Sequence, residues 1–193
     1  MKRAALTAAL LAALSSTALA GVYVGLGIGT NEATEGNADR LVDSGRSYRL
    51  LAGYQFRPLQ LGTRTATVAV EGSLGGYGLG LLDRTSVVGI DARQFSLAGR
   101  VNVPLSNNFQ AFGRVGLHHT SATAENSIYD TAGNGYLVGL GLEYRFNARI
   151  GTGASVGIDY QLNKVELSGE RFQNGTAFDV LERQWTLGVT LGF

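Results

Sequence analysis

The sequence contains no cysteine and only two prolines among its 193 residues. Without cysteine, no disulfide can contribute stability, which must therefore come from pairing within a sheet. The scarcity of proline excludes collagen-like and proline-rich disordered sequence, although glycine is frequent, with 28 residues. In strands, glycine permits tight curvature and close approach of backbones, so this composition favours a small, curved sheet.

Long apolar runs and an excess of charge of one sign are also missing. After residue 20, no segment approaches about 18 consecutive apolar residues, which excludes a membrane protein built from helices. Basic and acidic residues number 16 and 15, so no basic surface for nucleic acid is indicated. No metal-ligand spacing and no phosphate-binding loop occurs, and we expect neither a metal nor another cofactor.

The first 20 residues have the pattern of a secretory signal peptide. Lys2 and Arg3 precede an apolar run over residues 4–14, and Ala18-Leu19-Ala20 follows as a small-residue cleavage site. We expect residues 1–20 to be removed on export and residues 21–193 to form a single domain.

The last ten residues alternate most clearly between apolar and other side chains. One face carries Trp185, Leu187, Val189, Leu191 and Phe193, and the other carries Gln184, Thr186, Gly188, Thr190 and Gly192. This alternation predicts a strand with one apolar face, and the final bare aromatic residue indicates that lipid is the solvent of that face. Because a lone strand cannot satisfy its backbone groups in lipid, we expect it to close a barrel with the first strand.

Seven further segments alternate in the same way. Their apolar faces begin at Val22, Tyr48, Val68, Phe95, Ala111, Tyr136 and Ala154. Strands of about ten residues are joined mostly by short turns on one side, and by four long polar loops, residues 30–46, 79–90, 119–135 and 166–183, on the other. The sequence therefore predicts an all-β fold, an eight-stranded antiparallel up-and-down transmembrane β-barrel. A secreted barrel would carry its charges outside, whereas here they share the glycine-rich face.

Seven charged residues fall on that inward, glycine-rich face. They are Arg49, Arg100, Arg114 and Arg145, with Glu71, Glu143 and Asp159. The interior of an eight-stranded barrel is only as wide as its side chains, so these groups must pair with one another. The pattern predicts a polar, ion-paired lumen, with an ion-conducting or gated path as the alternative.

One short segment has the residue types of a hydrolase. His119 and Ser121 share a strand face, as in small barrel enzymes that deacylate lipopolysaccharide, and Glu125 follows. The pattern places no other third catalytic member beside them, so we expect loop residues and no enzyme, with a lipid A-modifying hydrolase as a distant alternative. His118 faces inward by parity and is expected to be a core histidine.

Several short motifs, in order, resemble the eight-stranded membrane domain of outer membrane protein A and its small relatives. The matching stretches are Gly53-Tyr54-Gln55-Phe56, Val70-Glu71-Gly72, Leu97–Pro104, Phe112–Gly116, Gly141-Leu142-Glu143-Tyr144 and Asp159-Tyr160-Gln161. The resemblance covers essentially the whole mature chain. It implies that inward ion pairs plug the barrel, at the matching positions Glu71, Arg100, Arg114, Glu143 and Asp159. Where the family has an arginine on strand seven, this chain has Gly157, so Arg49 or Arg145 would have to substitute.

The resemblance also implies how the protein is assembled and where it acts. The barrel assembly machinery is expected to read the terminal aromatic strand, with Trp185 and Phe193 as the signal. Expected partners are outer-membrane lipids, lipopolysaccharide and an extracellular ligand at the four loops. We predict a monomer in the outer membrane of a Gram-negative cell, with a structural and surface-interaction role; a narrow porin-like channel is the main alternative.

Overall fold

A computed structural model describes residues 21–35, 44–56, 58–61, 64–83, 86–124, 130–146, 153–168 and 178–193. The predicted signal peptide, residues 1–20, lies outside these described residues. They form nine strands: β1 (Val22–Glu35), β2 (Ser44–Gln55), β3 (Leu59–Leu61), β4 (Arg64–Asp83), β5 (Ser86–Pro104), β6 (Phe109–Ala124), β7 (Asp130–Arg145), β8 (Gly153–Ser168) and β9 (Phe178–Gly192). In this part of the chain, no helix is long and apolar enough to cross a membrane.

The strands form one antiparallel sheet that closes on itself. β1 pairs with β2 on one side and with β9 on the other, from Tyr23 opposite Gly192 to Glu35 opposite Val180. The short β3 pairs only with the start of β4, so eight long strands make the wall. The predicted eight-stranded up-and-down barrel is confirmed. Closure leaves no open sheet edge, which is what a sheet needs in order to lie in hydrocarbon.

Pro58 interrupts the pairing between β2 and β4 instead of ending it. The Phe56 N–H still donates to the Val68 carbonyl at 2.8 Å, and the pairing resumes in β3. Proline has no N–H and a fixed φ, so it removes one position from the ladder and the chain continues extended on either side. Residues 59–61, directly after the proline, are therefore strand.

On the side of the long loops, the strands extend further than the sequence pattern predicted. β4 and β5 pair as far as Asp83 opposite Ser86, so the predicted loop 79–90 is wrong and forms a hairpin. The predicted loops 30–46, 119–135 and 166–183 are likewise shorter, because β1, β2, β6, β7, β8 and β9 all continue into them. Apolar alternation requires lipid on one side, whereas hydrogen-bonded pairing continues in water, so the pattern stops before the strands do.

Side chains alternate between the two faces of the wall as predicted. Outward Leu26, Leu117 and Leu140 are 67%, 71% and 68% exposed, whereas inward Glu71 and Arg100 are 3% and 4% exposed. A band of large exposed apolar side chains surrounds the barrel, far beyond the patches of a few hundred Å² that soluble monomers tolerate. The outer surface therefore matches lipid and the interior is polar.

Aromatic rings mark the end of the apolar band that lies nearest the short turns. The rings of Tyr54 and Phe56 meet edge-on with centroids 5.2 Å apart. On the opposite side of the barrel, the Tyr144 ring contacts the rings of Phe109 and Phe146, with centroids 4.9 Å and 5.4 Å apart. Tyrosine, with an apolar ring and a polar hydroxyl, favours the boundary between lipid and water, so Tyr54 and Tyr144 mark one membrane interface.

A second aromatic group marks the opposite end of the band. The rings of Tyr160 and Trp185 lie 4.7 Å apart and both face outward. Beyond Trp185, the next outward residue of β9 is the exposed Arg183, and on β5 Arg93 follows Phe95 in the same way. The wall therefore rises above the membrane on this side, with charged residues outside.

Candidate functional site: the ion-paired lumen

Inward glycines give the large side chains of the lumen their room. The ring of Tyr23 lies directly on Gly53, and the ring of Phe112 lies directly on Gly141. A Cβ atom at either glycine would collide with the ring that covers it. The glycine-rich face thus allows a narrow barrel to be filled with long and aromatic side chains.

Arg100 on β5 connects two carboxylates on different strands. Its Nη1 donates to Glu71 Oε1 of β4 at 2.9 Å, and its Nη2 pairs with Glu143 of β7. Its Nε donates to Asn102 Oδ1 at 2.6 Å, and its Cζ lies 3.9 Å from the centre of the Phe112 ring. Each nitrogen of the guanidinium therefore has an acceptor, and one face of its plane lies on an aromatic ring.

Asp159 on β8 joins a second group of charges. Arg49 of β2 reaches across the lumen and its Nη2 donates to both carboxylate oxygens, at 2.9 and 3.0 Å. Arg114 of β6 approaches the same carboxylate, with Nη1 3.1 Å from Oδ2. The Nε atom of Arg114 lies 3.6 Å from Glu71 Oε2, which is ion-pair distance but too long for a hydrogen bond. Arg114 thus connects the two groups electrostatically.

Glu71 also accepts a hydrogen bond that the sequence analysis did not identify. The Tyr23 hydroxyl of β1 donates to its Oε1 at 2.7 Å. The alternation that begins at Val22 places Tyr23 on the inward face, but only the closure of the barrel brings β1 close to Glu71. This carboxylate consequently faces one hydroxyl and two guanidinium groups, and it is the centre of the network.

Arg145 lies at one end of the lumen and does not join these pairs. The structure brings together six of the seven predicted charged residues, three arginines with three carboxylates. Arg145 is half-buried near the short turns, where it lines a cavity of about 50 Å³ together with Glu143. Among the described residues, no carboxylate lies within 4.0 Å of its guanidinium. The paired charges therefore balance without it.

Gly157 lines a second small cavity in the middle of the lumen. This cavity has a volume of about 30 Å³ and also touches Arg49, Arg114 and Asp159. A water molecule needs at least roughly 10 to 15 Å³ of such space, so each of the two cavities holds at most a few waters. The absent side chain at Gly157 leaves a local gap beside the ion pairs.

A chain of hydrogen bonds continues from the ion pairs toward the loop end. Arg49 Nη1 donates to Gln161 Oε1 at 3.2 Å, Gln161 Nε2 donates to Asn163 Oδ1 at 2.6 Å, and Asn163 Nδ2 donates to Glu182 Oε2 at 3.1 Å. These four residues extend the polar lumen beyond the level of the outer aromatic group.

Glu182 corrects the sequence analysis, which had assigned it to the loop at residues 166–183. It is an inward residue of β9 with 1% exposure, three residues beyond Trp185 and so above the membrane band. The alternation of β9, continued two residues back from the inward Gln184, predicts this inward position. Burial raises the pKa of Glu182 from its ordinary 4.5 to about 7, and the hydrogen bonds from Asn163 and Tyr77 oppose that rise.

His119 and Ser121 lie on the outward face of β6 and are exposed. The Nδ1 atom of His119 is 2.8 Å from Asn134 Oδ1 on β7, and among the described residues no hydrogen bond joins His119 to Ser121. Glu125 lies outside the described residues. His118 is an inward, buried residue, as predicted, and its ring nitrogens contact Thr120, Gln94 and a backbone carbonyl.

Trp185 on β9 and Phe193, the residue directly after β9, face outward and are 53% and 43% exposed. The Phe193 N–H donates to the Val22 carbonyl at 2.9 Å, and its own carbonyl accepts from Gly21 at 3.4 Å. Phe193 thus ends the seam between the first and last strands.

The apolar exterior, the closed wall and the charged interior together define a membrane β-barrel. The chain belongs to the family described as the outer membrane protein beta-barrel domain, which matches residues 3–193. It is therefore an outer-membrane β-barrel protein, and the predicted resemblance to small barrels of this kind is confirmed.

Solved structures share this fold at low sequence identity. Neisserial surface protein A is 14% identical, with a TM-score of 0.66, covering 90% of this chain and 97% of that one. Ail, the attachment invasion locus protein of Yersinia pestis, is 15% identical, with a TM-score of 0.55, covering 90% of this chain and 99% of that one. OprG from Pseudomonas aeruginosa is 15% identical, with a TM-score of 0.52, covering 90% of this chain and 96% of that one. A comparison with curated proteins finds no match.

Proposed function

We propose that this protein is a monomeric structural and surface-interaction protein of the outer membrane, with a lumen closed by ion pairs. The observation that carries the proposal is the pair of linked groups around Glu71 and Asp159, which fill the barrel across strands that are not neighbours. Three arginines face three carboxylates within 4.0 Å, so few charges are left to line a water-filled path. A permanently open pore would need these pairs to separate.

The part of the wall above the membrane supports the surface role. Hydrogen-bonded strands carry exposed charged residues upward, including Glu32, Arg46, Glu166 and Arg183. A rigid scaffold that presents variable loops is a common arrangement for recognition. We propose that the four predicted loop regions, of which the tips lie outside the described residues, meet an extracellular ligand.

The charge of these loop regions indicates which class of ligand they can bind. Most acidic residues of the chain lie within residues 30–46, 79–90, 119–135 and 166–183. Ail has been solved with the heparin analogue sucrose octasulfate, but an acidic rim repels such a polyanion at ordinary ionic strength. Cationic or divalent-metal-bridged partners, including lipopolysaccharide through bridging cations, fit this chain better.

Export and assembly follow from the same proposal. Residues 1–20 direct the chain out of the cytoplasm and are removed, and the barrel assembly machinery receives the strand that carries Trp185 and Phe193. No catalytic step is proposed, because Ser121 has no base within hydrogen-bond distance among the described residues and the His119 ring is paired with Asn134.

The closed lumen is tested by conductance in planar lipid bilayers. Purified wild-type barrel should show rare and small openings, whereas Glu71→Ala should raise the conductance, because it removes the carboxylate between Tyr23, Arg100 and Arg114. Glu166→Ala is the matched control, since Glu166 is an exposed carboxylate on the outside of β8. Steady, large conductance of the wild-type protein would contradict the closed lumen and favour a porin-like channel.

The absence of catalysis is tested separately by mass spectrometry of lipid A from cells with and without overexpressed protein. The proposal expects identical acyl chain numbers. Loss of one acyl chain with the wild-type protein but not with Ser121→Ala would replace it by the hydrolase.

A further inference from the structure

A cleft of about 420 Å³ opens on the outer surface of the wall, across β2, β4, β5 and β6. Its apolar lining includes Tyr48, Leu50, Leu74 and Phe95, and its polar lining includes Arg93. The volume falls within the range of roughly 300 to 1,000 Å³ that is usual for ligand pockets. The cleft is distinct from the lumen, because all these residues face outward.

Outward glycines of β4 adjoin this cleft, whose lining on that strand is Leu74 and Gly75. Gly72, Gly76 and Gly78 occupy successive outward positions around Leu74, so this strand carries little side-chain bulk between its larger neighbours. The Tyr48 ring leans over Gly76, where an added Cβ would come within 2.5 Å of its hydroxyl oxygen. An added Cβ at Gly78 would meet nothing within 4 Å. Open space is therefore also present at Gly78, above the lining of the cleft.

Its lining changes from apolar to cationic in the direction of the membrane surface. Leu50, Leu74 and Phe95 pair in register on three neighbouring strands and are 50%, 57% and 54% exposed. Two residues nearer the loop end, Tyr48 follows Leu50 on β2 and Arg93 follows Phe95 on β5. The order matches a lipid molecule, with acyl chains below and a headgroup above.

Arg93 lines the upper part of the cleft, and Arg46 lies beyond the lining, nearer the loop end of β2. Arg93 pairs in register with Gly76, and Arg46 directly precedes Ser47, which pairs with Tyr77. Two strand spacings across the sheet and two residues along it place the backbones of these arginines about 12 Å apart. Both are exposed, and among the described residues neither has a carboxylate within 4.0 Å. Asp91, opposite Gly78, is the acidic residue nearest to them along β5.

We propose that this cleft binds one phosphate-bearing lipid of the outer leaflet. Its phosphate lies between Arg93 and Arg46, where arginine forms paired hydrogen bonds with phosphate oxygens. One acyl chain lies along Leu50, Leu74 and Phe95, which bury it against the wall. The site depends on the outer-membrane location of the proposed function, but not on a closed lumen.

The test measures lipid retention by native mass spectrometry of the barrel released from detergent micelles. Micelles contain either diphosphoryl lipid A or the same lipid A after removal of its phosphates. Wild-type protein should retain one diphosphoryl lipid A, and Arg93→Gln should weaken retention by about tenfold, as expected for the loss of a charge-assisted contact. Gly78→Val should weaken it as well, by filling the open space, and Asp91→Asn should strengthen it.

Arg183→Gln is the matched control, because Arg183 is an exposed outward arginine on β9, outside this cleft. An equal loss in Arg93→Gln and Arg183→Gln would mean non-specific attraction and would overturn the proposal. Equal retention of the dephosphorylated lipid would overturn the role of the phosphate, and displacement by inorganic phosphate alone would overturn the role of the lipid. Heat-dependent gel mobility establishes that each variant forms a barrel, and the bilayer conductance of the wild type tests the closed lumen independently.

Discussion

Replacement of Glu71 by alanine is the sharpest perturbation of the lumen. Glu71 is 3% exposed and lies between Tyr23, Arg100 and Arg114. Without it, Arg100 keeps Glu143 and Arg114 keeps Asp159, so three guanidinium groups share two carboxylates. One positive charge is left in excess in a space that admits only a few waters.

The expected loss of stability is about 3 to 5 kcal/mol, which is typical when one member of a buried charge pair is removed. That loss corresponds to a change of roughly 10² to 10⁴ in the folding equilibrium constant. The unpaired Tyr23 hydroxyl adds to it, because a buried polar group without a partner costs about 1 to 3 kcal/mol unless water reaches it.

Equilibrium unfolding by urea in lipid vesicles measures this loss, with the fluorescence of Trp185, the single tryptophan of the chain, as the signal. Trp185 lies in the outer wall at the lipid boundary, and so it reports transfer from lipid to water. Glu166→Ala serves as the control, and as a surface change it should alter stability by less than about 0.5 kcal/mol.

A double variant distinguishes the free-energy cost of an unpaired charge from the cost of a missing contact. Glu71→Gln with Arg100→Met removes both charges of one pair, so it should cost less than the sum of the two single changes. If Glu71→Ala costs less than about 1 kcal/mol, or if the effects of the double variant simply add, the carboxylate does not organise the network.

Three further outcomes are expected. Val70→Arg, on the lipid face, should cost about 2 to 4 kcal/mol, whereas Ala69→Ser, on the lumen face, should be mild; equal costs in vesicle unfolding would mean that the faces are misassigned. Phe193→Ala should reduce the yield of heat-modifiable barrel in the outer membrane, and an unchanged yield would remove its role in assembly. Glu182 has a pKa of about 7 in the folded state, against an ordinary 4.5, so the folded state binds more protons than the unfolded state. The free energy of unfolding should therefore fall as the pH rises from about 4.5 to 7. In unfolding titrations Glu182→Gln should lack this fall, and a pH profile identical to that of the wild type would contradict the buried position.

The faces of the strands could be predicted because lipid imposes a simple rule. Val70 and Glu71 are sequence neighbours, yet one is 43% exposed and the other 3%. A period of two, with apolar residues on a single face, leaves only one arrangement in a bilayer. The same rule does not apply above the membrane, where no lipid surrounds the strands. The sequence pattern therefore predicts a loop at Glu182, which lies on the inward face of β9.

The partners of the lumen residues were harder to predict than their direction. Parity states which face a residue occupies, but not its height along the barrel or the angle around it. Arg145 and Arg100 both face inward, yet Arg145 lies near the short turns with no carboxylate within 4.0 Å among the described residues, whereas Arg100 pairs with two. Height follows from the stagger of the strands, which the closure between β1 and β9 determines.

The ion pairs and the strand ladder hold different parts of the molecule together. The ladder joins only neighbouring strands, whereas Arg49 and Asp159 are 110 residues apart in sequence and connect β2 to β8 across the lumen. A buried ion pair gains little net stability over an apolar pair of similar size, so we infer that these pairs serve to exclude other arrangements of the interior. Apolar residues could fill the lumen equally well, but the inward face would then resemble the outward one, and nothing in the pattern would specify which side faces lipid. Charges on a single face make an inverted register costly, because they would then lie in hydrocarbon.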